Sequence, residues 1–150
     1  MTLQELHTQA MELAEKADFL KMQGKEAEAM LLYKDSLEAE REAAYMAKNQ
    51  QIGEPTESVL FRSSASLAFG LKDLREAERL ICMGLASNHP SDIACELREL
   101  YDQVNLERNL EQMIVDHAEN QHEAVTITIP VRERNLLKVL VRKFGWACVL

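Results

Sequence analysis

Two stretches of the chain share one spacing of small and large side chains, and this repeat constrains the fold more than any other feature. The first stretch reads Ala29, Tyr33, Ser36 and Leu37, and the second reads Ala77, Ile81, Gly84 and Leu85. A small residue that faces a large one on each turn lets two antiparallel helices approach closely and interlock. The pattern predicts stacked helical hairpins, an architecture that is typical of binding proteins rather than of enzymes.

The composition favours an all-α body. The 150 residues are 47% hydrophobic but only 5% aromatic, and the abundant residues Ala, Leu, Glu and Met have high helix propensity. A chain of this length buries one ordinary core, so we expect one main domain with a small appendage. The N-terminal stretch contains acidic residues and no uninterrupted apolar run, which predicts neither a secretory signal nor a membrane span. We therefore expect a cytoplasmic protein.

Capping and turn signals define the first predicted hairpin. Thr2 followed three residues later by Glu5 forms a capping box, so the first helix starts almost at once, and Gly24 supplies the turn after it. The second helix is expected over residues 26–48. Residues 49–55 contain Gly and Pro and break the helical periodicity, which predicts a flexible connection there.

Three more helices are predicted after this connection. Pro55 suits the first turn of the third helix, Asp73 with Glu76 marks the start of the fourth, and Ser91 is the expected cap of the fifth. The fifth helix is predicted to cover the exposed side of the hairpin before it, using Ile93, Leu97, Leu100, Tyr101, Val104, Leu110 and Met113.

Two expectations concern individual side chains. The second helix is predicted to leave one charged side in solvent, formed by Glu38, Glu40, Arg41 and Glu42. The three cysteines are odd in number and lack a C-x-x-C pair, so we expect reduced thiols. Cys82 and Cys95 are interpreted as small buried hydrophobic residues.

Residues 10–43 and 58–91 each resemble a tetratricopeptide repeat, a helix-turn-helix unit of about 34 residues. The matching positions are Leu13, Ala17, Leu20, Gly24, Ala29, Tyr33 and Leu37 in the first unit and Phe61, Ala65, Leu74, Ala77, Ile81 and Leu85 in the second. The chain departs from the family pattern at Arg41, where a helix-ending proline is usual, at Gly84, where alanine is common, and at Pro90, which comes one residue late.

The resemblance implies a concave groove formed mainly by the first helix of each hairpin. The groove-facing positions would be Met11, Ala14, Asp18, Lys21 and Met22 in the first unit and Val59, Arg62, Ser66 and Phe69 in the second. Relatives that grip chaperone carboxylates use a lysine and asparagine clamp, whereas the matching positions here hold Ala14, Asp18, Arg62 and Ser66, so that ligand is not expected. Core packing is an equally good interpretation of Met11, Met22 and Phe69.

The last 26 residues differ in charge and pattern from the rest. Residues 1–124 carry a net charge of −12, with 12 basic and 24 acidic side chains, whereas residues 125–150 carry +4. Residues 125–129 alternate as a half-buried strand does, and an amphipathic helix follows. Because a lone strand needs a partner, we expect pairing with the last five residues or with a second copy of the chain. The predicted dimerisation residues are Val125, Ile127, Ile129, Leu137, Val141, Phe144 and Trp146.

This strand and helix also resemble pieces of small bacterial antitoxin-like proteins and the front half of a ribbon-helix-helix unit. The resemblance implies a basic contact with nucleic acid or a toxin through Arg134, Lys138 and Arg142. The alternative is that these three side chains form a solvated helix face or pair with the acidic body.

The sequence thus predicts a non-enzymatic interaction scaffold with three parts: a helical domain over 1–118, a linker over 119–124 and a strand-helix appendage over 125–150. The chain contains no Walker, G-x-S-x-G, HExxH or C-x-x-C motif. His117 and His122 with Asp116 and Glu123 do not match a metal-ligand spacing. We expect a protein or peptide partner and a homodimer, and we expect no cofactor, metal, nucleic acid or membrane contact. A regulatory, antitoxin-like protein with a basic tail is the alternative.

Overall fold

A computed structural model of the chain describes the backbone of residues 1–119 and the side chains of residues 1–112. This part is entirely helical, as the composition predicted. Its elements are α1 (Leu3–Met22), α2 (Glu26–Asn49), α3 (Thr56–Gly70), α4 (Leu74–Leu85) and α5 (Ser91–Glu119). The predicted strand and final helix, with all the dimerisation and basic-contact residues assigned to them, lie outside the described residues.

Local chemistry explains the ends of the helices. The Thr2 hydroxyl accepts a hydrogen bond from the Glu5 backbone N–H at 3.2 Å, and the Glu5 carboxylate accepts one from the Thr2 N–H at 2.7 Å, so the predicted capping box is confirmed. Gly24 adopts φ 76°, the left-handed conformation that favours glycine, and turns the chain from α1 into α2. The Asp73 side chain accepts from the Glu76 N–H at 3.0 Å and caps α4.

The helices pack in chain order, with α1 against α2, α2 against α3, and α3 against α4. Most of the predicted small-large seam is buried, namely Ala29, Ser36 and Leu37 on α2 and Ala77, Ile81 and Gly84 on α4. Its other two members, Tyr33 and Leu85, are half-buried. At this seam the Ser36 hydroxyl donates to the Ala10 carbonyl of α1 at 2.8 Å, which satisfies a polar group that the close helix approach buries.

Helix α5 completes the core. Its buried residues Leu97, Leu100 and Val104 join the cluster that contains Phe61, Leu80 and Ile81. An added Cβ at Gly84 would lie 2.9 Å from a Leu97 methyl carbon and 3.2 Å from the Phe61 Cβ. Glycine at this position therefore lets α5 approach α4 more closely than alanine would.

Aromatic contacts tie α2 to the next hairpin. The rings of Tyr45 and Phe61 meet edge to face with centroids 5.4 Å apart, a favourable geometry for aromatic pairs. The Lys48 ammonium lies 6.0 Å from the Phe61 centroid, and the Arg79 guanidinium lies 5.8 Å from that of Tyr45. These contacts connect the C-terminal part of α2 with α3 and α4.

Two predictions about side chains are wrong. Glu40 belongs to the buried face of α2 and is 0% exposed, because it lies three residues after Leu37 and four before Ala44 on the inner stripe. Cys82 and Cys95 are exposed free thiols rather than core residues, because the buried positions beside them on α4 and α5 are Ile81 and Ala94.

The chain divides into two units after Arg108. The first unit, Met1–Arg108, contains α1 to α4 and the part of α5 that packs on the core. Of the second unit, the structure describes only the end of α5. This helix runs to Glu119, so the first residue of the predicted 119–124 linker is helical. Over the described part of the chain, no helix has both the length and the apolar character that a membrane crossing requires.

Candidate functional site

Four polar side chains from four helices form two hydrogen-bonded pairs, which together we call the polar row: His7 on α1 with Glu40 on α2, and Arg62 on α3 with Glu96 on α5. His7 Nδ1 and Glu40 Oε2 share a hydrogen bond of 2.9 Å, and Arg62 Nη1 donates to Glu96 Oε2. Burial raises the pKa of Glu40 overall, and the Arg62 charge is the smallest of the influences that oppose this rise. The row therefore contains side chains from the first helix of each hairpin and from α5.

Burial dominates the chemistry of Glu40. Its side chain is 0% exposed, whereas that of His7 is 35% exposed. Removal from water disfavours the carboxylate and raises the pKa of Glu40, and the hydrogen bond and charge of His7 and the charge of Arg62 only partly offset this effect. The folded chain thus holds an acid whose charged form is poorly solvated.

Two buried atoms of the polar row have no hydrogen-bond partner among the described residues. One is Glu40 Oε1, an acceptor, and the other is Arg62 Nε, a donor. Buried polar groups are paired in most native proteins, and a charged group left unpaired is costly. The row therefore contains one buried acceptor and one buried donor without a hydrogen-bond partner among the described residues.

The predicted groove positions on α1 are all at least partly exposed. Met11 and Ala14 are half-buried, Lys21 is exposed, and Met22 is 85% exposed. Asp18 accepts a hydrogen bond from the Tyr33 hydroxyl of α2.

The bond to Asp18 stabilises the protonated phenol of Tyr33, and together with burial and the Asp18 charge it raises the pKa of Tyr33 to about 12. Asp18 is therefore engaged within the first hairpin.

The predicted groove positions on α3 are also accessible. Val59 and Arg62 are half-buried, and exposed Ser66 donates from its hydroxyl to the Arg62 carbonyl at 3.0 Å. Phe69 is half-buried, and the Lys72 ammonium lies 5.5 Å from its ring centroid. Of the predicted groove residues on α3, Arg62 and Ser66 are thus joined by a hydrogen bond within one helix turn.

A second cluster, which we call the loop cluster, joins the loop before α3 to the loop before α5. Burial raises the pKa of Glu54, but hydrogen bonds from Ser58, the nearby Ser87 hydroxyl and the charge of His89 outweigh it, so the pKa is lowered overall. The Ser87 hydroxyl itself donates to the Gly84 carbonyl at 2.8 Å. The Ser58 backbone N–H donates to Glu54 Oε2 at 3.2 Å. Glu54 Oε1 and His89 Nδ1 are buried and have no partner among the described residues. The cluster thus brings together Glu54 from the loop before α3 and His89 from the loop before α5.

An open cleft of about 560 Å³ lies along the C-terminal half of α2. Its lining residues are Glu38, Arg41, Glu42, Tyr45, Met46, Asn49 and Gln50. Arg41 Nη1 donates to Glu76 of α4 at 3.4 Å, and Arg79 makes a two-pronged contact with the same carboxylate at 2.8 and 2.7 Å. Most of the charge beside the cleft is therefore already paired.

Over the residues that the structure describes, no three His, Cys, Asp or Glu side chains converge as a metal site would require. Comparison with known proteins adds no assignment: the chain matches no protein-family model, no curated protein and no solved structure.

Sequence reasoning found Arg62 but missed its neighbours in the polar row. Glu40 has a signal in the sequence, because Leu37, Glu40 and Ala44 follow the three- and four-residue spacing of one buried helix face. His7 and Glu96 have no comparable signal in the sequence, because each is one of many polar residues on a long helix. Their pairing can be recognised only once the positions of the neighbouring helices are known.

Proposed function

We propose that this chain is a non-enzymatic protein-interaction module, built from tetratricopeptide-like helical hairpins, that binds a protein or peptide segment on the face of α1 and α3. The observation that carries the proposal is the polar row, in which an unpartnered carboxylate oxygen of Glu40 and an unpartnered guanidinium nitrogen of Arg62 lie beside half-exposed side chains. Such atoms favour a binding site, because a ligand that pairs them removes an existing cost.

The order of helix packing supports the same proposal. In a solenoid each hairpin packs on its sequence neighbours and a terminal helix covers the last one. Two hairpins and a covering helix should show the same order of contacts as this chain, in which α1 packs on α2, α2 on α3 and α3 on α4. The covering helix corresponds to α5, whose residues Leu97 and Val104 are buried in the core. The match to the tetratricopeptide pattern itself rests on the sequence positions.

The proposal includes a cytoplasmic location and a homodimer formed through residues 125–150. Both rest on the sequence. The alternating pattern of residues 125–129 predicts a strand that needs a partner, and the net charge of +4 in this segment suits the acidic body of a second copy. The same positive charge is the reason to keep contact with nucleic acid or a toxin as the competing function.

A capture experiment tests the groove. We would compare proteins retained from the native lysate by the full chain, by an Arg62→Gln, Phe69→Ser variant, and by a control variant, Arg75→Gln, Leu31→Ser, altered at exposed positions of α4 and α2. The proposal expects at least one partner that the groove variant loses and the control variant keeps. If all three retain the same proteins, the assignment of the groove is wrong.

A second comparison separates dimerisation from nucleic-acid binding in the full chain. Ile127→Asp should convert the dimer mass measured by light scattering to a monomer mass and leave any retention on DNA unchanged. Replacing the three basic residues Arg134, Lys138 and Arg142 with Gln should leave the dimer intact. Loss of salt-dependent DNA retention in that triple variant would favour the regulatory function instead.

A further inference from the structure

The open cleft along the C-terminal half of α2 presents carboxylates beside apolar surface. Tyr45 and Met46 are half-buried and line the cleft, and Glu38 and Glu42 line it one helix turn apart. The Glu38 side chain is 76% exposed. Glu42 is exposed and makes no ion pair with another described residue. The cleft thus offers two accessible carboxylates and an apolar patch to a further group.

The arginine side chains beside the cleft are held by other carboxylates than Glu42. Arg41 donates to Glu76 of α4 at 3.4 Å and to Glu38 at 3.5 Å, and Arg79 donates to Glu76 at 2.8 and 2.7 Å. These three carboxylates and two guanidinium groups leave one negative charge in excess. The C-terminal end of α2 adds a partial negative charge, because a helix dipole is negative there. A positively charged segment is therefore the complementary ligand.

The C-terminal segment of the chain has the matching chemistry. Residues 125–150 carry a net charge of +4, and Arg134, Lys138 and Arg142 recur at every fourth position of a predicted amphipathic helix. Side chains four residues apart share one face of a helix, as the two exposed glutamates of the cleft do. Two helices with this spacing can pair opposite charges in successive turns.

The chain is long enough to carry these basic residues to a second copy. The described backbone ends at Glu119, and residues 120–133, which number 14, separate it from Arg134. An extended segment of this length spans up to about 50 Å. In the proposed homodimer the strand over residues 125–129 pairs between copies, and the basic residues begin five positions after it. Strand pairing therefore brings the basic residues of one copy to the other copy.

We propose that the α2 cleft of one copy binds the basic segment, residues 134–142, of a second copy, so that the homodimer contains two identical contacts. This inference rests on the proposed function and names the surface that the C-terminal segment recognises. Strand pairing holds the copies together and the basic contact tightens the dimer. Neutral Gln at the three basic positions thus weakens the dimer but leaves its mass unchanged in light scattering.

Charge reversal on the full-length chain tests this contact. The cleft variant is Glu38→Lys, Glu42→Lys, and the segment variant is Lys138→Glu, Arg142→Glu. Each variant places like charges at both contacts of its own homodimer. We expect the dissociation constant of the dimer, measured by analytical ultracentrifugation, to rise at least about tenfold in each variant.

An equimolar mixture of the two variants identifies a contact between copies. In the mixed dimer, the new lysines of one copy meet the new glutamates of the other, and the second contact is wild type. We expect the mixture to dimerise with a dissociation constant within about threefold of the wild-type value. A contact inside one chain would not be restored by mixing, because each chain keeps its own like-charged pair.

Two control variants carry the same charge changes at other exposed positions. They are Glu12→Lys, Glu15→Lys on α1 and Lys16→Glu, Lys34→Glu on α1 and α2. Each should change the dissociation constant by no more than about twofold, and their mixture should dimerise no more tightly than the wild type, unless net charge alone governs association. Circular dichroism of every variant shows that the fold is retained.

The proposal is overturned if the cleft variant dimerises as tightly as its control, or if the mixture stays as weak as its components. Restoration in one chain that carries all four substitutions, without restoration in the mixture, would place the contact within a chain and also reject the proposal. Loss of DNA retention in the segment variant with an unchanged dimer would assign the basic residues to nucleic acid instead.

These outcomes are separable from failure of the proposed function. A dimer that is lost in Ile127→Asp but is unaffected by the charge reversals would keep the homodimer and reject the contact at α2. A wild-type chain that is monomeric at all concentrations would reject the homodimer itself.

Discussion

Replacement of Gly84 by alanine tests how closely α5 packs on the core. The new Cβ would lie 2.9 Å from Leu97 Cδ1 and 3.2 Å from Phe61 Cβ, and the second of these atoms is fixed to the α3 backbone. Gly70 is the matched control, because a Cβ there meets no described atom within 4 Å. Both glycines lie in helices, so the two variants differ mainly in the space around the new methyl group.

The two effects at Gly84 have opposite signs. Overpacking of a filled core costs about 1–3 kcal/mol, and the higher helix propensity of alanine offsets about 1 kcal/mol of this. We therefore expect Gly84→Ala to lower the free energy of unfolding by about 0–2 kcal/mol. Gly70→Ala has only the favourable effect and should raise it by about 1 kcal/mol. The difference between the two variants should be about 1–3 kcal/mol.

Urea unfolding followed by circular dichroism measures this difference. With a slope of about 2 kcal/mol per molar urea, the two midpoints should be separated by roughly 0.5–1.5 M. In a Leu97→Ala background the cost of Gly84→Ala should become smaller, because the Leu97 methyl groups are gone and only the contact with Phe61 Cβ at 3.2 Å remains. If Gly84→Ala stabilises the chain as much as Gly70→Ala does, α5 is not seated against α4 as described.

Three further predictions concern titration and accessibility. Because burial raises the pKa of Glu40, its contribution to stability falls as pH rises from the unfolded carboxyl pKa through the folded one. The stability of Glu40→Gln should therefore increase relative to that of the wild type over this range, and a constant difference in urea midpoints from pH 4 to 7 would contradict this. Absorbance at 295 nm should show that Tyr33 ionises with a pKa of about 12 and with a lower pKa in the Asp18→Asn variant. Equal titration curves for the two proteins would argue against the hydrogen bond between Tyr33 and Asp18. With the third cysteine replaced by serine, Cys82 and Cys95 should react with a thiol reagent without denaturant, whereas slow reaction would restore the buried interpretation.

Helix type and spacing could be predicted because they depend on local chemistry. Thr2 with Glu5, Gly24 and Asp73 mark helix ends through hydrogen bonds and backbone conformation within a few residues. The burial of Ala29, Leu37 and Ile81 follows from the periodicity of one helix face. These features need no knowledge of which helices are neighbours.

The errors arise where burial depends on the neighbouring helix. Glu40 is charged, and composition alone places it in solvent, but α1 brings His7 against it and the periodicity of α2 buries it. Cys82 and Cys95 are apolar enough for a core, yet they lie one residue after the buried positions Ile81 and Ala94. Successive residues of an α-helix point in directions about 100° apart, so a buried residue can be followed directly by an exposed one. Residue type alone does not show which of the two faces the core.

Helix α5 carries both Leu97, which closes the core, and Glu96, which engages the Arg62 guanidinium. Exposed ion pairs contribute little stability, so detachment of α5 is resisted mainly by its apolar face, and any such opening releases Arg62 at the same moment. Binding of a partner at Arg62 and protection of the α5 amides from hydrogen exchange are thus thermodynamically coupled. A partner that engages Arg62 only while α5 is seated slows that exchange without touching a single α5 backbone atom.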